Sequence, residues 1–265
     1  MKKSIKILSG GLAFLLIIVI LYFANGLLGN PISKTVANNV SKEYIAKNYQ
    51  NMKLNLSNAS YSFKTGDYYV QVKSPISKDT HFSLTISPLG KIIGDTYESD
   101  VLGKFNTLTR IDKIYNDKVN NVIESKEFTY KSDIYFGELS EDMLDRNKLE
   151  LDKDYNLYEL GKKAGHIVLY IQDEDVSFKK ASEILLDIKS MLDKQSVSFY
   201  SIDFTLQKPR NENGELSSDD SYISVEKFLY KDIYEEDLEN RVLKSYEDLQ
   251  KYYKEQDLKK EEILN

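Results

Sequence analysis

The sequence predicts an α+β protein that is attached to a membrane by one N-terminal helix. From Ile7 to Leu28 the chain has no charged residue. Beyond Leu28, some stretches repeat apolar residues every three or four positions and others every second position, the periods of helices and strands. Hydrophobic residues make up 41% of the chain and charged residues 29%, as in folded globular proteins. We therefore predict a transmembrane helix followed by two extracytoplasmic α+β domains.

The predicted anchor covers residues 7–28. As a helix it is about 33 Å long, enough to cross the hydrocarbon core of a bilayer. Three lysines lie in residues 1–6, the predicted cytoplasmic segment, so the positive-inside rule places the remainder of the chain outside the cell. A signal peptide cleaved after Gly26 is the alternative, because Ala24 and Gly26 are small. The length of the apolar run favours a retained, single-pass anchor in the cell membrane.

Composition and charge exclude several classes of partner and chemistry. The chain has no cysteine, which excludes disulfides and thiolate catalysis. Its net charge is −6, and all of the first 30 residues' charges are lysines, so the predicted outer part is more acidic still. An acidic surface is a poor match for nucleic acid. We predict no nucleic acid and no cofactor, and expect the membrane and an envelope protein as partners.

Residues 30–125 are predicted to form the first domain, one helix followed by a four-stranded antiparallel meander. Asn30 suits a helix N-cap and Pro31 the first helical position, and the helix covers about residues 33–49. Alternating stretches then predict strands near residues 61–63, 68–73, 82–86 and 91–97. A helical pattern from Glu98 to Ser125 is expected to cover the meander.

Residues 127–265 are predicted to form the second domain, with the element order β-α-β-α-β-β-α. Strands are expected near residues 128–136, 167–171, 200–207 and 221–230, and helices near residues 154–163, 181–192 and 238–253. The apolar run 167–171 is placed at the centre of the sheet. Pro209–Asp220 is predicted to be a long mobile loop, and the charged tail after Tyr253 is expected to fray.

Three runs near the anchor are similar to a known family. They are Gly29-Asn30-Pro31-Ile32-Ser33, the run from Tyr68 to Pro75, and the run from Ser77 to Phe82. Together with the anchor they resemble the YfjL-like family of membrane-anchored proteins from low-GC Gram-positive bacteria. The resemblance implies one membrane helix followed by an N-terminal and a C-terminal α+β domain. It implies no activity and no catalytic residue.

One group of polar residues is a candidate binding site. Ser74, Ser77, Asp79 and His81 lie within eight positions, on the predicted turn between the second and third strands. As a binding site they would face solvent at one end of the meander. The same residue types also hydrogen-bond to the backbone of turns for purely local reasons, so both interpretations remain open.

Catalytic and metal-binding patterns are weak in this sequence. An S-x-x-K motif begins at Ser177 and a K-T-G motif at Lys64, but penicillin-interacting enzymes have these motifs in the opposite order. Ser177 is more simply the N-cap of the following helix. The two histidines lie in different predicted domains, and the acidic run beginning at Asp173 lacks calcium-loop spacing. We predict no catalytic residue and no metal site.

The predicted function is a membrane-tethered, non-enzymatic binding or regulatory module of unidentified ligand. The alternative is a cell-envelope hydrolase with an unrecognised pair of carboxylates. A cleft lined by two buried acids would favour the hydrolase. A flat face beside an unpaired sheet edge would favour the binding module.

Overall fold

The computed structural model describes residues 2–210 and 222–264. These residues form an α+β protein with one apolar N-terminal helix and two β-sheets, as predicted. The contacts divide the chain into two compact units: a first unit of Met1–Thr107 and Asn147–Lys153, and a second unit of Leu108–Arg146 and Asp154–Asn265. Most of the predicted loop Pro209–Asp220 lies outside the described residues.

Two helices open the first unit. Helix α1 covers Lys2–Leu28 and α2 covers Pro31–Asn48. Asn30 is the predicted N-cap of α2, because its Oδ1 accepts a hydrogen bond from the Ile32 N–H at 2.8 Å. Gly29 ends α1 with a φ of 74°, a left-handed conformation that glycine adopts without strain.

The first sheet has five strands instead of the predicted four. The strands are β1 (Asn55–Leu56), β2 (Ser60–Tyr61), β3 (Tyr68–Lys73), β4 (His81–Ile86) and β5 (Ile92–Asp95). Strands β3 to β5 form the predicted antiparallel meander, and β1 and β2 both pair with β3. The edge is split in two because Asn38 Oδ1 accepts a hydrogen bond from the Ala59 N–H at 2.8 Å, between β1 and β2.

One face of the first sheet packs against α2. Every second residue of β3 and β4 is buried on that face: Tyr68, Val70, Val72, Phe82, Leu84 and Ile86. Helix α2 contributes Ala37, Ser41 and Ile45 to the same core. The intervening residues, such as Gln71, Ser83 and Thr85, form an open polar face, as the two-residue period of a strand requires.

The helical pattern after the first sheet is interrupted, which the sequence analysis did not predict. A π-helical turn covers Glu98–Leu102, and helix α3 begins only at Phe105 and ends at Ile123. Between them, Lys104 has a φ of 62°, which breaks the helical path. The two units divide close to this break, after Thr107.

The second unit is built on a four-stranded mixed sheet. Its strands are β6 (Lys131–Leu139), β7 (Gly165–Gln172), β8 (Ser201–Gln207) and β9 (Tyr222–Leu229), and its later helices are α4 (Leu157–Ala164), α5 (Phe178–Lys194) and α6 (Leu238–Leu264). The strand order is β6-β7-β8-β9, in which only β7 and β8 are parallel. The element order is the expected one, and β7 is central.

Helix α3 closes part of the free edge of β6. Asp112 Oδ1 accepts a hydrogen bond from the Leu139 N–H at 2.6 Å, and Asn116 Nδ2 donates to the Gly137 carbonyl at 2.9 Å. Covering a sheet edge in this way prevents it from pairing with other chains. The sequence analysis expected this helix to cover the first sheet, whereas these contacts are made within the second unit.

A buried tyrosine organises the core of the second unit. Tyr115 is fully buried, and its hydroxyl donates a hydrogen bond to the Ser198 carbonyl at 2.9 Å. Three glycines make room for its ring and hydroxyl. A Cβ atom added to Gly137, Gly161 or Gly165 would lie 3.2, 2.9 or 2.4 Å from an atom of the Tyr115 side chain.

Helix α6 is longer than expected. It continues to Leu264, whereas the sequence analysis expected the chain to fray after Tyr253. One side-chain contact lies at the expected end of the helix and one within its extension. The Tyr253 hydroxyl donates a hydrogen bond to Glu226 of β9, and Asp257 and Lys260 form an ion pair one helical turn apart.

Candidate functional site

The predicted polar cluster forms the turn between β3 and β4. The Ser74 N–H donates to the Thr80 carbonyl at 2.9 Å, which closes the turn. The Ser77 hydroxyl accepts from the Thr80 N–H at 2.9 Å and donates to Thr80 Oγ1 at 2.7 Å. Ser74 Oγ accepts from the Ile76 N–H at 3.3 Å. Both serines therefore hold the shape of the turn.

Asp79 does not face solvent, and this part of the sequence prediction is wrong. Its side chain is fully buried and accepts a hydrogen bond from the Asp152 N–H at 2.8 Å. Asp152 Oδ1 in turn accepts from the N–H groups of Lys78 and Asp79, at 2.6 and 3.0 Å. The two aspartates thus support each other's backbone across 73 positions of sequence.

Asn106 fixes the end of the same turn. Its Nδ2 donates to the carbonyls of Asp79 and His81, at 2.9 and 2.6 Å. The half-buried His81 side chain lies on the polar face of the first sheet, where its residue pairs with Lys73. The turn therefore has strong structural roles, and whether it also binds a partner remains a prediction.

A second polar cluster lies in the second sheet and was missed from the sequence. His166 Nδ1 is 3.0 Å from Ser201 Oγ, and His166 Nε2 is 3.3 Å from Asp203 Oδ2. The parallel register places His166 beside Ser201 and Val168 beside Asp203. A sequence signal existed only in part, since Ser201 and Asp203 alternate with apolar residues on one predicted strand.

Asp203 is also bonded to the edge strand. The sheet has a bulge beside it, and the N–H of Lys227, whose φ is 51°, donates to Asp203 Oδ1 at 2.6 Å. Burial opposes ionisation of Asp203, but the hydrogen bonds from His166 and Lys227 outweigh it and lower its pKa. The hydrogen bond to Asp203 raises the pKa of His166, although burial acts against it.

The cluster contains the three residue types of a hydrolytic triad, but its surroundings do not suit catalysis. A nucleophilic serine needs access for the substrate and N–H groups directed at the developing oxyanion. Ser201 is buried and pairs with strands on both sides, at His166 and Leu229. The N–H of the preceding Tyr200 donates to the Gly165 carbonyl at 2.7 Å. Because this backbone is hydrogen-bonded within the sheet, the cluster fits a structural role better than catalysis.

Stability is expected to depend on the protonation of His166. Its pKa is raised above the ordinary 6.5, so its stabilising effect is complete below that value and is lost as pH rises through the folded-state pKa. The free energy of unfolding should therefore fall as pH rises above about 6.5. Denaturant unfolding at several pH values measures this slope.

Two variants test whether other titratable groups cause the pH dependence of unfolding. His166→Gln should flatten the profile, and Asp203→Asn should do so while keeping an acceptor for the Lys227 N–H. Proton NMR of the two histidines gives the pKa directly. A His166 pKa at or below 6.5 would contradict the prediction.

This cluster lies on an open face of the second sheet. The register places Ile134, Phe136, Val168, Tyr170 and Tyr222 on the same face as His166 and Asp203. Ile134, Phe136 and Tyr222 are exposed, and Val168 and Tyr170 are half-buried. We call these seven residues the open face. It combines apolar side chains with an ionisable pair.

The strongest candidates for metal or carboxylate chemistry are the acidic residues near Asp173 and the buried Asp79. Within the part of the chain that the structure describes, no group of three or more histidine, cysteine or acidic residues could hold a metal. Asp173 accepts from the Asp175 N–H at 3.0 Å and pairs with Lys180 at 3.5 Å, so it shapes a turn. Among residues of described burial, Asp79 is the single buried acid, and no cleft is lined by two.

The short catalytic motifs have local roles. Ser177 Oγ accepts a hydrogen bond from the Lys180 N–H at 3.2 Å and is the N-cap of α5, as expected. Lys64 lies in the turn between β2 and β3. The motifs therefore give no catalytic site.

Fold and sites together define an α+β protein with two sheets and one N-terminal helix that is long and apolar enough to cross a membrane. Residues 2–101 match the YfjL-like N-terminal domain, and residues 114–243 match the YfjL-like C-terminal domain. The chain therefore belongs to the YfjL-like family. No curated protein and no solved structure matches it.

Proposed function

We propose that this protein is a single-pass membrane-tethered binding module, with its N-terminus in the cytoplasm and two extracytoplasmic domains. The open face is its recognition surface, and an envelope protein is its partner. The observation that carries this proposal is a partly apolar sheet face that the described residues leave exposed, in a chain whose α1 also exposes apolar side chains.

The exposed side chains of α1 support the membrane anchor. Leu12, Phe14 and Ile17 are more than half exposed, although α1 is the most apolar segment of the chain. Moving each such side chain from water into an apolar phase gains about 1.5–3 kcal/mol. The length of the apolar run supports retention of α1, and the family match, which begins at residue 2, includes this helix.

The open face supports binding rather than catalysis. Its exposed Ile134 and Phe136 lie beside the part of β6 that Asp112 and Asn116 do not cap. A partner strand or loop could therefore contact both the face and the adjoining edge. The hydrolase alternative lacks the cleft with two buried acids that would favour it, among residues of described burial.

Photo-crosslinking in native membranes tests the proposal. A photoreactive phenylalanine analogue replaces Phe136, which is 36% exposed, or Ile93 on the first sheet, which is 51% exposed and serves as the control. We expect a discrete crosslinked product from position 136 that position 93 does not give. Adding Ile134→Lys should reduce that product several-fold, because a buried charge opposes docking on the face.

The same membranes are used to test whether α1 is a retained membrane anchor. After an alkaline wash the chain should stay in the membrane fraction, and protease added to intact protoplasts should digest the part after Asn30. A soluble product beginning at Leu27 would instead show cleavage after Gly26. Identical products from positions 136 and 93 would remove the open face as the recognition surface.

A further inference from the structure

One end of the first sheet is hydrogen-bonded to the junction between α1 and α2. The Tyr68 hydroxyl, at the start of β3, accepts a hydrogen bond from the Asn30 N–H at 2.7 Å and lies 2.9 Å from the Asn30 carbonyl. The Tyr61 hydroxyl donates to the Gly26 carbonyl, in the last turn of α1, at 2.9 Å. The turn between β2 and β3, residues 62–67, therefore lies at the anchor end of the unit.

The turn between β4 and β5 lies at the same end. Ile86, the last residue of β4, pairs with Tyr68. A Cβ atom added to Gly90 in this turn would lie 2.6 Å from Val36 Cγ1, in the second turn of α2. The opposite turn, at residues 74–80, follows the far end of β3, roughly 17 Å away along the strand.

Three exposed apolar side chains come from three different elements at the anchor end. Ile32 is 74% exposed, Phe63 64% and Leu89 94%. Ile32 is in the first turn of α2, and Phe63 and Leu89 are in the two turns just described. Single exposed apolar residues need no explanation, but these three all belong to segments at the end of the unit where α1 ends.

Exposed lysines accompany each apolar side chain. They are Lys34, Lys64 and Lys91, each within two positions of Ile32, Phe63 or Leu89. In the same two turns and the first turn of α2, Asp67 is the single acid. Apolar and aromatic tips flanked by lysine are typical of segments that lie in the interfacial region of a bilayer.

The junction itself is rigid. A Cβ atom added to Gly29 would lie 2.6 Å from Tyr61 Cγ, so the chain passes close against that ring. Together with the bonds from Tyr61 and Tyr68, this packing fixes the end of α1 against the first unit. The apolar tips therefore keep one orientation relative to the anchor.

We propose that six residues hold α2 and the first sheet against the outer surface of the bilayer that α1 crosses. They are Ile32, Phe63 and Leu89, with Lys34, Lys64 and Lys91. The apolar tips enter the interfacial region, and the lysines contact anionic lipid headgroups. This inference rests on the proposed membrane anchor. It places the turn at residues 74–80 at the end of the unit that faces away from the membrane.

Tryptophan fluorescence tests the seating, because the chain has no tryptophan of its own. The full chain is placed in nanodiscs of phosphatidylcholine and phosphatidylglycerol, with single substitutions Phe63→Trp and Leu89→Trp. Ile76→Trp, on the far turn and 83% exposed, is the matched control. Ile17→Trp reports insertion of α1. Quenching is read with lipids brominated near the headgroup or near the chain end.

The seated orientation predicts a distinct pattern. Phe63→Trp and Leu89→Trp should be blue-shifted and quenched at least about twofold more strongly than Ile76→Trp by the headgroup-proximal bromine. Ile17→Trp should be quenched most by the deeper bromine. Lys64→Gln combined with Lys91→Gln should reduce quenching at Phe63→Trp in anionic nanodiscs but not in neutral ones.

The outcomes separate the seating from the anchor. If Ile17→Trp is quenched while both tip positions match Ile76→Trp, the first unit does not rest on the membrane and this inference is wrong. If Ile17→Trp is itself unquenched, the proposed anchor fails. Equal quenching in neutral and anionic nanodiscs, unchanged by the lysine substitutions, would overturn the headgroup contact.

Discussion

Gly161→Ala is expected to lower the unfolding free energy of the second unit by about 3 kcal/mol. In an open helix this substitution stabilises by about 0.5–1 kcal/mol, because alanine loses less backbone entropy than glycine. In α4 the new Cβ would lie 2.0 Å from the Ser198 carbonyl oxygen and 2.9 Å from the Tyr115 ring. One contact is with backbone and the other with a buried ring, so neither can move without cost. Denaturant unfolding measures the sign directly.

Two further variants test whether the close contacts of the new Cβ atom cause this loss of stability. Lys162→Ala, at the next and exposed position, should change stability by less than about 0.5 kcal/mol. Tyr115→Phe removes only the hydrogen bond to Ser198 and should cost about 1 kcal/mol. Burial raises the pKa of Tyr115, so its hydroxyl remains a donor at neutral pH. A stabilising Gly161→Ala would show that α4 does not pack as described.

Asp152→Ala is expected to destabilise the first unit by about 4 kcal/mol. The substitution removes the acceptor for the N–H groups of Lys78 and Asp79. Each lost bond to a charged acceptor costs about 1.5 kcal/mol, and alanine in the left-handed conformation costs about 1 kcal/mol more. The φ of Asp152 is 61°, which alanine adopts poorly.

Asparagine and glycine at the same position separate these two causes. Asp152→Asn keeps an acceptor oxygen and tolerates the left-handed conformation, so it should stay within about 1 kcal/mol of the parent. Asp152→Gly relieves the strain but loses the acceptor, and should fall between the two. Hydrogen exchange at the Lys78 and Asp79 amides follows each variant locally. Unchanged exchange in Asp152→Ala would disprove the role of this carboxylate.

The Asp152 contact bears on where a first domain could be cut from the chain. The sequence predicted a domain of residues 30–125, and that boundary remains a prediction. The first unit also contains Asn147–Lys153, so a fragment ending at residue 125 lacks the partner of Asp79. We therefore expect such a fragment to be less stable than the same residues within the whole chain.

The two polar clusters show how far residue types can predict a site. Ser74, Ser77 and Asp79 were chosen because they lie together in sequence, but only the two serines bond within the turn, whereas Asp79 bonds to Asp152. His166, Ser201 and Asp203 are brought together only by the parallel pairing of β7 and β8. Their separation of about 35 positions gives no local pattern to find.

The sequence by itself determined the elements that depend on near neighbours. These are the apolar run of α1, the cap at Asn30, the alternation in β3 and β4, and the N-cap at Ser177, because each reflects chemistry within a few residues. Family membership was also visible there. The tertiary structure decided the burial of Asp79, the role of Asp152, and the bonds of α3 to the edge of β6. Those depend on contacts between segments 21 to 74 positions apart, which no local period records.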